Sequence, residues 1–445
     1  MAKNNQQSWR HRPYWWDAGP DNQPLNLDLL AKSVEEIPAQ TDCVVVGAGY
    51  SGLSAALTLA RAGRSVVVLD SSQPGYGCSA RNGGLIGPSF HKLGLSGLRA
   101  KLGEAGAAAI MRESMDILTW LKQFIGREGI DCGLTESGRF RGAVTARHYG
   151  ELAEQAEGLC KLVDLEFEMV PQSAQLKHIG SAYYRGGIVY HQGGHLHPGL
   201  YLKGLAGLAL EAGVRIFAPA RVERLEATRE GFRVHLGTIA IDCGDAMIAT
   251  NGYTDPAFPY LRRRVIPIRS ALIATEPLPA GLMQELSPQR QGFGDTSRLM
   301  PYYRPSPDGS RMIFGGRALN LADRPQNYAA DLHRLMTRIF PQLRNTSISH
   351  AWSGTVAYTF DHAPHIGRLA EGPMAGVYYA MGYCGSGVGR ASWFGRKAAL
   401  KILGDAEGST PLDELTFATR PLYSGRPWFL PAILRWHSLL DRFGL

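Results

Sequence analysis

The chain has 445 residues, enough for two domains that share a large core. Hydrophobic residues make up 44% of it and charged residues 19%, an ordinary globular balance, and no apolar run approaches the roughly 20 residues a membrane span needs. The formal charge of +8 is dispersed; its densest cluster, "LRRRVIPIR", lies in a strand-like context without a nucleic-acid motif, so no nucleic-acid partner is expected.

Residues 1–40 look like an irregular arm containing aromatics. The first of them, "MAKNNQQSWRHRPYWWDAGP", lack the apolar segment of a secretory signal. The six cysteines (Cys43, Cys78, Cys132, Cys160, Cys243 and Cys384) are scattered, and none stands in a CxxC or other metal spacing. Reduced thiols, no metal and a cytoplasmic location are the expectation.

"DCVVVGAGYSGLSAALTLARAGRSVVVLD" then predicts strand, glycine turn, helix and strand. Val44 to Val46 form the continuous apolar run of a strand buried on both faces. Gly47, Gly49 and Gly52 fill the GxGxxG spacing: one for a tight turn, one for close approach to a pyrophosphate, one for helix–strand packing. The helix that follows stops near Gly63, and its N-terminal N–H groups and dipole favour a phosphate. The second strand, Val66 to Leu69, ends at Asp70, whose carboxylate suits ribose hydroxyls and disfavours a 2′-phosphate. The motif alone leaves FAD and NAD open.

Beyond it, residues 95–162 are mainly helical in pattern, broken by the strand-like "GRFRGAVT". "GGIVYHQGGHLHPGLYLKGLAGLALEAG" reads as a loop leading into an amphipathic helix. Strand patterns follow in "VRIFAPARVERLEA", "GFRVHLGTIAIDCGDAMIATNGY" and "VIPIRSALIATEPL". "MPYYRPSPDGSRMIFGGR" reads as two strands around a Pro-Asp-Gly turn. "GVYYAMGYCGSGVGRASWFGRKAALKIL" repeats strand, glycine turn and helix near the C-terminus. Two such units far apart, with mixed strands between, suit a nucleotide domain assembled from separate segments.

The glycine-rich loop "SSQPGYGCSARNGGLIGPSF", with "PHIGR" and "GYCGSGVGRA", resembles the D-amino-acid oxidase-like superfamily of FAD-dependent amine oxidoreductases, most nearly its gamma-glutamylputrescine oxidase-like members. "RPYWWD", "GGHLHPGLYLKGLA", "ARVERLE", "ATNGY" and "SPDGSRMIFGGR" extend the resemblance over nearly the whole chain. It implies an α/β protein (α+β overall), with a discontinuous Rossmann-like FAD domain (41–92, 185–260 and 360–406) and a substrate domain with a mixed or antiparallel sheet (93–184 and 261–359). An arm (1–40) and a tail with an amphipathic helix (407–445) flank them.

The resemblance further implies that FAD contacts Gly47, Gly49, Tyr50, Ser51, Gly52, Asp70 and Ser71 on the first unit. Ser79, Arg81, Asn82, Gly83, Gly84 and Leu85 follow in the loop, then Val222 beside adenine, and Thr250, Asn251 and Gly252. Gly382, Gly385, Ser386, Gly387 and Val388 complete the set, the last helix aiming its positive end at the flavin. Relatives commonly carry Gly-His-Gly where Gly385-Ser386-Gly387 stands here. The flavin-linking cysteine of monomeric sarcosine oxidases has no counterpart in "WSGTVAY", so non-covalent FAD is expected. Cys78 and Cys384 occupy positions where small residues are usual.

The implied reaction oxidises a primary or secondary amine: an amino acid, an N-methyl amino acid or a polyamine derivative. Hydride passes from the carbon beside nitrogen to flavin N5, the imine hydrolyses, and oxygen or another electron acceptor reoxidises the flavin. The alternatives are a flavoprotein serving a partner protein and an NAD-dependent dehydrogenase. Pocket candidates are Tyr302 or Tyr303, of which strand alternation selects one; Trp352 and Tyr358 as an aromatic wall; Arg317, for a carboxylate or as a structural partner; and His91. The tail "RPWFLPAILRWHSLLDRFGL" is expected to pack on the body, a homo-oligomer or membrane contact being the alternatives.

Overall fold

The computed structural model describes residues 9–88, 93–317 and 324–443. Among them stand two eight-stranded sheets and a two-stranded ribbon.

The first sheet is built on Gln40–Val46, whose Val44, Val45 and Val46 are buried on both faces. It runs parallel to Val66–Leu69 on one side and to Ile239–Ile248 on the other. Arg215–Phe217 extends the first side and Tyr378–Met381 the second, both parallel, and His365–Arg368 closes the edge antiparallel. The strand order therefore reverses beside Gln40–Val46, and a crevice opens beyond the carboxyl ends of the strands there, the usual ligand position in such sheets.

Two helices cross over this sheet, Tyr50–Arg61 and Gly387–Ile402. A Cβ on Gly395 would lie 2.1 Å from the Ser51 carbonyl oxygen, so the two backbones touch. Ser54 Oγ donates to the Ser392 carbonyl at 2.7 Å, and the Ser51 and Tyr383 hydroxyls share a hydrogen bond of 2.5 Å. Both helix N-termini are thereby brought to the same crevice.

The second sheet has the order Ile348–Tyr358, Ile266–Thr275, Met312–Arg317, Tyr302–Pro305, Gly292–Asp295, Arg139–Gly142, Gly187–Tyr190, Phe167–Val170. Only Gly292–Asp295 and Arg139–Gly142 pair in parallel. One face carries Ala271, Phe293, Tyr303 and Phe314 into a core with Leu332 and Met336 of the helix Pro325–Ile339. Alternation turns the other face toward the first sheet. The strand Gly187–Tyr190 corrects an expectation: the loop anticipated there, and grouped with the FAD segments, is a strand of the second sheet. Its run Gly-Ile-Val-Tyr is short, and burial of Ile188 and Val189 on opposite faces erases the alternation that marks a strand.

The N-terminal arm is not irregular at its centre. Tyr14–Asp17 is a short helix that buries Tyr14 and Trp15 against Leu272, Ile313 and Trp352. The C-terminal helix, Leu430–Phe443, buries Leu430 and Leu434, and Asp441 accepts the backbone N–H groups of Arg298 (2.8 Å) and Leu299 (3.1 Å). Among the described residues no helix is long and apolar enough to cross a membrane.

Candidate active site

A cavity of about 1080 Å³ lies between the carboxyl ends of the first sheet and the open face of the second. That is at the top of the range for pockets holding one drug-sized ligand, and suits a dinucleotide.

At its nucleotide end, Gly47 has φ +111°, and a Cβ there would be 3.0 Å from the Ala249 carbonyl oxygen. A Cβ on Gly52 would be 1.8 Å from the Gly47 carbonyl, which is the close helix–turn packing its spacing predicts. Gly52 itself stays behind the cavity wall formed by Gly47, Gly49, Tyr50 and Ser51. Gly49 begins the helix without a side-chain cap; a side chain on it would meet Ser79 Oγ at 3.0 Å. Asp70 and Ser71 line the wall beside Val222, Thr250 and Asn251. Asp70 Oδ2 accepts the Ala48 N–H at 2.7 Å and Oδ1 the Ser72 N–H at 3.0 Å, so the short acid braces the glycine turn. Burial raises its pKa and the two backbone hydrogen bonds oppose that. Each oxygen keeps a further lone pair for a ribose hydroxyl.

The loop of Ser79, Arg81, Asn82, Gly83, Gly84 and Leu85 lines the middle of the cavity. The polar ends of Arg81 and Asn82 turn largely inward on the chain. Arg81 donates to the carbonyls of Tyr76 (2.5 Å) and Ser353 (3.1 Å) and lies over the rings of Trp16 and Tyr76, 4.9 Å from each. Asn82 donates to the Ser79 carbonyl at 2.9 Å and accepts from Gly84 N at 2.7 Å. The loop's backbone therefore has a fixed shape. Opposite it, Gly385, Ser386, Gly387 and Val388 line the cavity at the start of the helix Gly387–Ile402. Gly252 and Gly382 do not line it. A Cβ on Gly252 would be 2.6 Å from the Thr355 carbonyl, and one on Gly382 2.4 Å from Thr359 Cγ2, so both are sites of close approach. Asn251 Oδ1 accepts from Gly382 N at 2.9 Å.

On the second sheet, Tyr302, Arg317 and Tyr358 come together. Arg317 Nη2 donates to Tyr358 Oη at 2.6 Å, and a Cβ on Gly385 would be 3.1 Å from that nitrogen. The Tyr302 ring lies over the bare Cα of Gly83, where a Cβ would approach it to 3.1 Å. Its hydroxyl shares a 2.9 Å hydrogen bond with Ser270, and burial pushes its pKa to about 12.

Two candidates are elsewhere. Tyr303 turns to the opposite face, stacked between Phe293 and Phe314, with its hydroxyl 2.7 Å from that of Tyr184. Trp352 is fully buried under the Arg81 loop and against Trp15, so it is not part of the cavity wall. His91 lies outside the described residues. The sequence reasoning passed over a further group at the far end of the cavity: Arg139, Arg141, Tyr190 and Arg298. The signal was present in "GRFRG", where the arginines alternate with Phe140.

Cys78 lines the cavity with its thiol pushed up to about 11 by burial, and Cys384 is buried with Sγ 3.2 Å from the Gly382 carbonyl.

The family of FAD dependent oxidoreductases designated DAO matches residues 42–400. A probable oxidoreductase OrdL of Haemophilus influenzae is 32% identical over 93% of each chain. Gamma-glutamylputrescine oxidoreductase of Escherichia coli is 31% identical over 96% of this chain and 98% of its own. Among solved structures, glycine oxidase from Geobacillus kaustophilus superimposes with a TM-score of 0.71 at 16% identity, over 86% of this chain and 99% of its own. Uncapped helix start, bare glycine turn and two-ended cavity all fit the cofactor of that family, and the chain belongs to the DAO family of FAD-dependent oxidoreductases.

Proposed function

We propose that this oxidoreductase acts on a primary or secondary amine, whose reacting carbon lies between the Gly83 and Gly385 loops and the cluster of Tyr302, Arg317 and Tyr358. The observation that carries this is the cluster itself: a guanidinium and two phenols within one cavity wall, opposite the uncapped start of the helix Gly387–Ile402. Gamma-glutamylputrescine oxidoreductase, among the relatives, and glycine oxidase, among the folds, act by their names on amines.

In this reading Asp70, Ser71 and Val222 would hold the adenosine end of FAD, Gly47, Gly49, Tyr50 and Ser51 its pyrophosphate, and the Ser79–Leu85 and Gly385–Val388 segments its flavin end. Bound FAD supplies a two-electron acceptor for a hydride from the carbon next to nitrogen. The chain contributes position and electrostatics. Tyr302 and Tyr358 bound the amine with apolar ring area, and the helix start at Gly387 favours negative charge on the side of the cofactor it faces. The Arg317 cation disfavours a second cation beside it, which lowers the pKa of a bound ammonium and frees the nitrogen lone pair. No side-chain base is needed for this role.

The discontinuous division into an FAD domain and a substrate domain, with the Gly187–Tyr190 strand reassigned to the latter, belongs to this proposal, as does a cytoplasmic location, which the six free thiols support. Anaerobic mixing of the yellow protein with a panel of amines tests the reading. Bleaching of the flavin by at least one amine is expected; bleaching by 2-hydroxy acids and by no amine would overturn it.

A further inference from the structure

The open face of the second sheet continues well past Tyr302. In register across the strands, Gly315 opposes Tyr302, Tyr302 opposes Gly294, and Gly294 opposes Arg141. Residues directly opposed in a sheet share a face. Arg141 therefore points to the same side as Tyr302, with only a glycine between them. Two residues along, Arg139 shares that face and opposes Tyr190 on the next strand and Gly292 on the previous one. The two glycines leave space over the sheet, into which Arg139 leans: a Cβ on Gly294 would be 3.3 Å from Arg139 Nη2.

These arginines line the cavity, and the carboxylate that acts on Arg141 most directly, that of Asp295, does so at a distance and without an ion pair. Among the described residues no carboxylate is ion-paired with either. Arg141 Nε reaches a backbone carbonyl, that of Asp295, at 3.3 Å. The Asp295 side chain follows Gly294 in its strand and so turns to the other face, where it meets Ser297 N at 2.9 Å and the Tyr184 hydroxyl at 3.4 Å. Desolvation, and then repulsion from Arg141, lower Arg139 to about 10. Burial raises the Tyr190 phenol, an effect the two guanidinium groups partly offset. Two neighbouring cations, one of them desolvated and neither in an ion pair, are costly unless a ligand brings an anion. Guanidinium groups favour a carboxylate, by paired charge-assisted hydrogen bonds.

We propose that Arg139 and Arg141 form a distal subsite for a carboxylate on the substrate, so that the amine oxidised is an extended molecule with a carboxylate at its far end. The proposal rests on the amine reading above. Arg141 is two strands from Tyr302, or about 10 Å at the usual strand spacing of about 4.8 Å. A flexible chain with an amine at one end and a carboxylate at the other spans a separation of that order.

The test measures binding apart from turnover. N-Butylglutaramic acid and N-butylpentanamide differ only in a terminal carboxylate against a methyl group, and neither carries an oxidisable amine. Each is titrated into the FAD-loaded protein by calorimetry. Wild type is expected to bind the acid at least about tenfold more tightly than the amide, the scale of one charge-assisted hydrogen bond. Arg139→Gln and Arg141→Gln, shown to be folded by circular dichroism and retained flavin, should each lose most of that preference, and Arg141→Lys should keep part of it. Equal binding of the two compounds by wild type, including no binding of either, overturns the subsite; so does a preference unchanged in both glutamine variants. A preference for the acid in a protein whose flavin no amine bleaches would leave the subsite standing and remove the amine reading alone.

Discussion

Trp15 and Trp352 donate their indole N–H groups to successive carbonyls of one loop: Trp352 to Arg81 and Trp15 to Asn82, each at 2.8 Å. Their rings meet edge to face with centroids 6.4 Å apart. One tryptophan comes from the N-terminal arm and the other from the second sheet, so the arm, the sheet and the Ser79–Leu85 loop are fastened at one point. Trp15→Phe keeps the ring and leaves the buried Asn82 carbonyl without its donor, at a cost of about 1–3 kcal/mol. Thermal unfolding of the holoprotein should fall by several degrees, and FAD should dissociate faster. An unchanged FAD dissociation rate in both Trp15→Phe and Trp352→Phe would show that the fastening does not shape the flavin side.

Gly49 and Gly52 fail in different ways when substituted. Gly49→Val brings branched carbons toward Ser79 and across the mouth of the turn, and should give a folded, colourless protein. Gly52→Ala puts a methyl 1.8 Å from the Gly47 carbonyl and should lower stability as well as remove FAD. Circular dichroism with visible absorbance separates the two outcomes. A yellow Gly49→Val protein would contradict the assignment of this turn to the pyrophosphate.

FAD should leave the chain completely on acid precipitation. The two nearest thiols are poor nucleophiles: burial holds Cys78 at about 11 and raises Cys384 as well, so both are protonated at neutral pH. Flavin remaining in the protein pellet would contradict this, and its loss in Cys78→Ser or Cys384→Ser would identify the link.

The pH dependence follows from Arg317. A free alkylamine, like the lysine side chain, has a pKa of about 10. Desolvation by Tyr302 and Tyr358 and repulsion by Arg317 both disfavour the bound ammonium, so the pKa of the complex is lowered. Cation–π attraction to the same rings opposes this and is the weaker effect. The limiting rate of flavin reduction should rise with pH through an apparent pKa below that of the free amine. Arg317→Met should move that pKa upward. A rate that falls as pH rises, or an apparent pKa unmoved in Arg317→Met, would contradict the role given to the guanidinium.

What the sequence disclosed and what it hid have physical causes. Val44–Val46, the glycine spacing and the Pro-Asp-Gly hairpin are local signals, complete within a few residues. The choice between Tyr302 and Tyr303 needed alternation, which narrowed it to one, and the partner strands, which showed that the Tyr303 face is the one covered by Pro325–Ile339. Trp352 and Tyr358 share a face of one strand, yet only Tyr358 reaches the cavity, because the Arg81 loop and an arm more than 300 residues distant in sequence roof over Trp352. Arg139 and Arg141 were hidden for the opposite reason. Alternating arginine and phenylalanine is the pattern of a strand with a solvated face. Only the pairing with Gly292, Gly294 and Tyr190 reveals that this face borders an enclosed cavity.

The most direct measurement is anaerobic stopped-flow of the FAD-loaded protein with an extended amino-carboxylate, N-glutarylputrescine, beside its counterpart without the carboxylate, N-pentanoylputrescine. The account predicts that the flavin absorbance bleaches in a single turnover with release of an aldehyde, and that half-saturation comes at an at least about tenfold lower concentration for the carboxylate. A flavin that stays oxidised with both compounds, and across a panel of other primary and secondary amines, would contradict it.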